Sequence, residues 1–128
     1  MFELVRVAVT TTGSAGSATG NEDTEYAVNG KLYAVYLDYH ASAPGATTDV
    51  TITQTEAPSQ TLLTVTDNAT DGWYFPREAV CGNTGTGLTY DGTRTVNEAP
   101  PVVGYLTVAV AQSNALTNCV VAYLYIGS

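Results

Sequence analysis

Lys31-Leu32-Tyr33-Ala34-Val35-Tyr36-Leu37-Asp38-Tyr39-His40 is the stretch whose reading decides the fold. Tyr33, Val35, Leu37 and Tyr39 alternate with Leu32, Ala34, Tyr36, Asp38 and His40. A period of two sends successive side chains to opposite faces, which is strand geometry. The spacing therefore predicts a β-strand whose one face carries Tyr33, Val35, Leu37 and Tyr39. The preceding Asn29-Gly30 is the strongest hairpin-turn signal in the chain, expected to join this strand to a short acidic one over residues 22–28.

The same period recurs in both directions. Val5, Val7 and Val9 share a face of a first strand over 3–10. Residues 11–21 are Thr, Gly, Ser and Ala with little to pack, and are expected to form a flexible loop or arm. After a Pro-Gly turn region at 41–47, Val50, Ile52 and Gln54 alternate with Asp49, Thr51 and Thr53, and a strand over 61–66 places Leu63 and Val65 together. Turns are expected at 67–72, 82–87 and 91–92. Glu98-Ala99-Pro100-Pro101 leads rigidly into a strand in which Val102, Leu106, Val108 and Val110 share a face. In the last strand, 119–126, Val120, Leu124 and Ile126 oppose Val121, Tyr123 and Tyr125. No stretch of ten residues carries a helical stripe. The expectation is a single all-β domain spanning 1–128, an antiparallel β-sandwich of jelly-roll type, with a small β-barrel as the alternative.

Composition agrees with that and restricts function. Only 12% of residues are charged, about half of the roughly 25% usual in a globular domain. In their place stand 21 threonines, 9 tyrosines and 12 glycines, the material of pleated sheets and turns. The net charge of −8, with Arg6, Lys31, Arg77 and Arg94 scattered, opposes direct nucleic-acid binding, which needs clustered cations. No apolar run approaches the roughly 20 residues of a membrane-spanning helix. Met1 to Val7 alternates and lacks a signal peptide's apolar core, so synthesis in the cytoplasm without export is expected. Cys81 and Cys119 allow one disulfide at most, and both thiols are expected to be reduced in that compartment.

Chemistry-bearing residues are sparse. His40 is the only histidine, and a Ser-His-Asp system would have to use it with Asp38 or Asp49, but no Gly-x-Ser-x-Gly elbow accompanies it. His40, Cys81 and Cys119 are too few and too dispersed for zinc. Asp67, Asn68 and Asp71 before Gly72 offer oxygens to calcium, although Asx residues in turns usually cap their own backbone. The Gly-rich 82–87 segment lacks a P-loop lysine, and the Asn68-Ala69-Thr70 sequon is read as chance. No catalysis, cofactor or resident metal is expected. The sharpest feature is Trp73-Tyr74-Phe75-Pro76-Arg77. Aromatic residues and Arg are enriched at protein interfaces, and three consecutive aromatics cannot all enter one core, so Trp73, Tyr74, Phe75 and Arg77 are the candidate interface residues. A sugar-stacking ladder and a core corner ended by proline remain alternatives.

Leu32-Tyr33-Ala34-Val35-Tyr36-Leu37-Asp38-Tyr39, Thr48-Asp49-Val50-Thr51-Ile52 and Asp71-Gly72-Trp73-Tyr74-Phe75-Pro76-Arg77 resemble segments of small structural proteins of tailed bacteriophages, most closely the head decoration, or cement, proteins. The resemblance implies binding to the outside of an expanded capsid, with the major capsid protein as partner and the chain itself as a homotrimer, clamping capsomers against the pressure of packaged DNA. Other roles consistent with the residues are a tail, neck or head-fibre component that meets the host surface, and a carbohydrate-binding module stacking sugars on Trp73, Tyr74 and Tyr90.

Overall fold

In the computed structural model, which describes residues 2–42 and 44–128, the chain forms β1 (Phe2–Val9), β2 (Ala18–Asp23), β3 (Val28–Tyr39), β4 (Asp49–Gln54), β5 (Gln60–Val65), β6 (Gly72–Tyr74), β7 (Glu78–Ala79), β8 (Asn97–Glu98), β9 (Pro101–Gly104), β10 (Leu106–Ser113) and β11 (Val120–Gly127). The described residues contain no helix, and so none long and apolar enough to cross a membrane.

Two antiparallel sheets carry the fold, one ordered β1-β11-β3-β6 and the other β2-β10-β4-β5. The chain passes repeatedly between them, and strands distant in sequence become neighbours, as β1 and β11 do. That winding is a jelly roll. The sheets are curled, giving the sandwich a partly barrel-like section. Between β6 and β10 lies an insertion: β7 and β8 pair as a small ribbon, and β9 returns to the first sheet beside the start of β3.

The inward faces follow the valine and leucine alternation. Val5, Val7 and Val9 meet Val35 and Leu37 from the first sheet, and Val50, Ile52, Leu106, Val108 and Val110 from the second. Val120, Ala122, Leu124 and Ile126 fill the centre. Each valine, leucine or isoleucine among them contributes about 1.5–3 kcal/mol when fully buried.

Register differs from simple alternation where strands bulge. β11 opposes Ala34 with Tyr125 but Leu32 with Ile126, so Tyr33 is an extra, unpaired residue. Beyond the bulge the faces exchange. Leu32, expected on the face away from Val35, is fully buried with it. Tyr33 instead turns outward, with its ring edge-on to Phe2 at 5.0 Å and its hydroxyl donating to the Ser128 carbonyl at 3.2 Å. In β5, Leu62 is the extra residue opposite the Ile52–Thr53 step. Leu62 and Val65 are buried, whereas Leu63, the expected partner of Val65, is only half-buried.

Two local expectations are corrected, the Asn29-Gly30 turn and the single strand expected to carry Val102, Leu106, Val108 and Val110, which breaks at Tyr105 into β9 of the first sheet and β10 of the second. Asn29-Gly30 is not a hairpin turn; it lies inside β3, opposite Val103 and Val102 of β9. Gly30 has φ +141°, and a Cβ there would run into the Gly127 carbonyl, so glycine serves a close backbone approach. The segment 11–21 is tied down at both ends. The Thr11 hydroxyl donates to the Asn114 carbonyl at 2.7 Å and accepts from the Leu116 N–H at 3.0 Å, while Ala18 starts β2, paired with β10. β2 lies at a sheet edge with almost every side chain exposed, so it lacks the apolar alternation that identifies a strand. The acidic strand expected over 22–28 thus ends at Asp23, and Thr24 caps its end by bonding Leu106 and Tyr26.

One polar side chain fastens the two sheets together. Buried Gln54 of β4 accepts from the Val103 N–H at 2.9 Å and from the Gln60 amide at 3.2 Å, and donates to the Pro58 carbonyl at 2.9 Å. Its loss leaves the Val103 N–H and Pro58 carbonyl without that partner. Gln54→Ala is expected to destabilise the fold by about 1–3 kcal/mol, read as a lower urea midpoint with an unchanged m-value.

Candidate functional site: an aromatic sheet face

The outward face of the first sheet carries side chains of the opposite parity to the core. Register aligns them into a row. Arg6 of β1 is opposite Tyr123 of β11, Tyr123 opposite Tyr36 of β3, and Tyr36 opposite Trp73 of β6. The next pairs along are Leu4 with Tyr125, and Tyr125 with Ala34. Aromatic side chains from three neighbouring strands therefore meet on one surface.

They meet with definite geometry. Tyr36 lies 5.1 Å from Trp73 at 61°, Trp73 5.4 Å from Tyr125 at 46°, and Tyr36 6.4 Å from Tyr123. Edge-on and tilted arrangements of this kind are favoured by the ring quadrupoles and each contributes about 0.5–1.5 kcal/mol beyond area. Along β6 and the residues after it, Trp73 and Phe75 stack at 13° and 6.3 Å, and the Arg77 guanidinium sits 5.9 Å from the Phe75 centroid. Arg77 is held by donating to the Tyr33 carbonyl at 3.0 Å. Leu4, Tyr36, Asp38, Trp73, Tyr123 and Tyr125 line a shallow concavity of about 520 Å³. Trp73 is 51% exposed and Phe75 60%, unusual for rings that have a core available.

Of the four expected interface residues, Trp73, Phe75 and Arg77 come together on this face. Tyr74 does not. It lies opposite Val35, packs against the core and accepts from the Asn68 side-chain amide at 2.6 Å. Tyr90, proposed from sequence as a sugar-stacking partner, lies in the insertion, where the Arg94 guanidinium covers it at 5.1 Å. Leu4, Tyr36, Tyr123 and Tyr125 were missed as site residues. Their outward parity was visible in the alternation, but their adjacency to Trp73 depends on strand order.

The other candidates are dispersed. His40 accepts from the Ser42 N–H at 3.0 Å through Nδ1, as a turn residue. Asp71 accepts from the Tyr39 N–H at 2.7 Å, and Asn68 from the Thr70 N–H at 3.1 Å. The Asp67 backbone N–H donates to the Asp49 carboxylate at 2.9 Å. These groups cap backbone, and no group of three or more His, Cys, Asp or Glu among the described residues is placed to hold a metal. Burial, then the neighbouring Tyr74, Asp71 and Cys119, raises the Tyr39 phenol above its ordinary value, and its hydroxyl has no hydrogen-bond partner among the described residues. Both cysteines are free, Cys81 exposed and Cys119 buried, with the Cys119 thiol 3.1 Å from the Ser113 hydroxyl.

No protein-family model matches the chain, and no curated protein and no solved structure matches it.

Two solution measurements check this arrangement. Thiol alkylation of the native protein is expected to label Cys81 alone, with Cys119 reacting only after denaturation; equal labelling of both would contradict the burial of Cys119 just before β11. The Asp91 carboxyl is lowered to about 2, chiefly by the Arg94 backbone N–H, then by the Arg94 side chain and the Thr93 N–H. Because its folded value lies below the unfolded value, this loop's contribution to stability is present above about pH 4 and is lost as pH falls through about 2. A carboxyl titration followed by NMR is expected to show the Asp91 midpoint well below the ordinary aspartate value, at about 2.

Proposed function

We propose that this chain is a structural virion protein, a capsid decoration or cement protein that docks through the aromatic face of its first sheet. The partner in this reading is the major capsid protein, the working form is a homotrimer, and the location is the outer capsid surface. The observation that carries the proposal is the half-exposed Trp73–Phe75–Arg77 ladder continuous with Tyr36, Tyr123 and Tyr125. An exposed surface rich in Trp, Tyr, Phe and Arg and poor in Lys and Glu has the composition of an interface centre. Jelly rolls recur among viral capsid and lectin domains, which is an analogy of fold and supports the reading without specifying the site. The residue segments that resemble phage decoration proteins add to it. An acidic remainder, with a net charge of −8, keeps such a protein soluble until it meets its particle.

The open concavity beside Trp73 favours a second reading, a carbohydrate-binding face, since tyrosine and tryptophan rings also stack on sugars. Mixing the protein with expanded, undecorated capsids and with isolated tails of the parent particle separates the readings. Saturable co-sedimentation with heads is the expected result. Trp73→Ala or Phe75→Ala is expected to weaken it by about 2 kcal/mol, roughly thirtyfold. Binding to tails alone, or to glycans without either particle component, would replace the decoration role.

A further inference from the structure

The concavity on the aromatic face has a chemical bias that its shape does not state. Its walls are the rings of Tyr36, Trp73, Tyr123 and Tyr125 with Leu4, and its one charged group is Asp38. Asp38 follows Tyr36 by two residues on β3 and so stands on the same outward face. Its carboxylate has no hydrogen bond or ion pair with any described residue. The nearest cation by register, Arg6, lies in the row of Tyr123 and Tyr36, two strands across and two residues along from Asp38, about 12 Å away at ordinary strand spacing, and does not line the concavity.

Ring faces are negative, and a carboxylate among them adds a full charge, so the concavity is suited to a cation. A guanidinium fits better than an ammonium. It is planar, weakly hydrated, stacks on aromatic faces and accepts a carboxylate along its edge through two N–H groups. A neutral saccharide needs several fixed donors and acceptors, and this site fixes a single carboxylate beside tyrosine hydroxyls. We infer that the concavity is a receptor for one arginine side chain presented by a partner protein, laid against the contacting Tyr36 and Trp73 rings that wall it and paired with Asp38. This rests on the docking role proposed for the same face and identifies the chemistry that the partner must present there.

Trp73 is the only tryptophan, so its fluorescence reports directly on the site. The isolated full chain is titrated with N-acetylarginine methylamide and with its citrulline counterpart, which is nearly isosteric but uncharged. The arginine probe is expected to bind saturably at about millimolar concentration, as one stacked and paired cation does, and the citrulline probe to leave the signal unchanged. Asp38→Asn is expected to weaken the arginine probe by about fivefold or more, and added salt to act in the same direction. Equal response to citrulline, or an unchanged affinity in Asp38→Asn, would overturn the inference. So would a response to choline or to a neutral oligosaccharide exceeding that to arginine. The wild-type comparison of the two probes stands whether or not the variant folds. Probe binding without capsid binding removes the virion role alone, whereas capsid binding undiminished in Asp38→Asn removes the arginine site alone.

Discussion

The pairing of β11 between β1 and β3 is the constraint on which the rest of the structure depends. It joins the last strand to the first and to the longest, and its register sets both faces of the sheet at once. Inward it stacks Val120, Ala122, Leu124 and Ile126 into the core. Outward it places Tyr123 and Tyr125 between Arg6 and Leu4 on one side and Tyr36 and Ala34 on the other. A slip of one residue would send the valines and leucines to solvent and the tyrosines inside. The core therefore specifies the aromatic face: burial energy on one side of the sheet fixes the alignment of rings on the other.

The Tyr33 bulge shows the same coupling at closer range. By taking one extra residue, β3 buries Leu32 as well as Val35, Leu37 and Tyr39, and turns Tyr33 outward to meet Phe2 edge-on. The added local twist bends the sheet as well. The aromatic face is thus built on hydrogen-bonded strands supported from beneath by the core, and its rings already contact one another in the free chain. Preorganisation of this kind lowers the ordering cost of docking. The insertion between β6 and β10 supplies the second support: β9 occupies the edge of β3 that β6 leaves open, and Gln54 and Gln60 bind it to the other sheet.

Much of this was legible before the fold was known, and the reasons are specific. Period-two alternation revealed β1, β3, β4 and β11, because each has one buried face, and it ran β9 and β10 together as one strand although they belong to different sheets. It missed β2, which is exposed along nearly its whole length. It misjudged Asn29-Gly30, where glycine answers a carbonyl on a neighbouring strand and not the local turn geometry that the dipeptide usually signals. It also misassigned faces near Tyr33 and Leu62, since a bulge leaves no mark in a hydrophobic pattern read one strand at a time. Trp73, Phe75 and Arg77 stood out because three aromatics in succession must split between faces. The structure sends Tyr74 inward and its neighbours outward for that reason.

By itself, then, the sequence determined an all-β fold of sandwich or barrel type, the valine and leucine core, and a parity opposite to it for Tyr36, Tyr123 and Tyr125, because side-chain direction along a strand is a local property of the backbone. Tertiary structure alone decided that these residues share one surface. Which strands become neighbours depends on pairings between segments up to the length of the chain apart, and on bulges that only a partner strand reveals. The jelly-roll winding brings residues 4, 36, 73, 123 and 125 together around one concavity, with Asp38 among them. No local pattern encodes that meeting, since it is a consequence of how two curled sheets close over a single core.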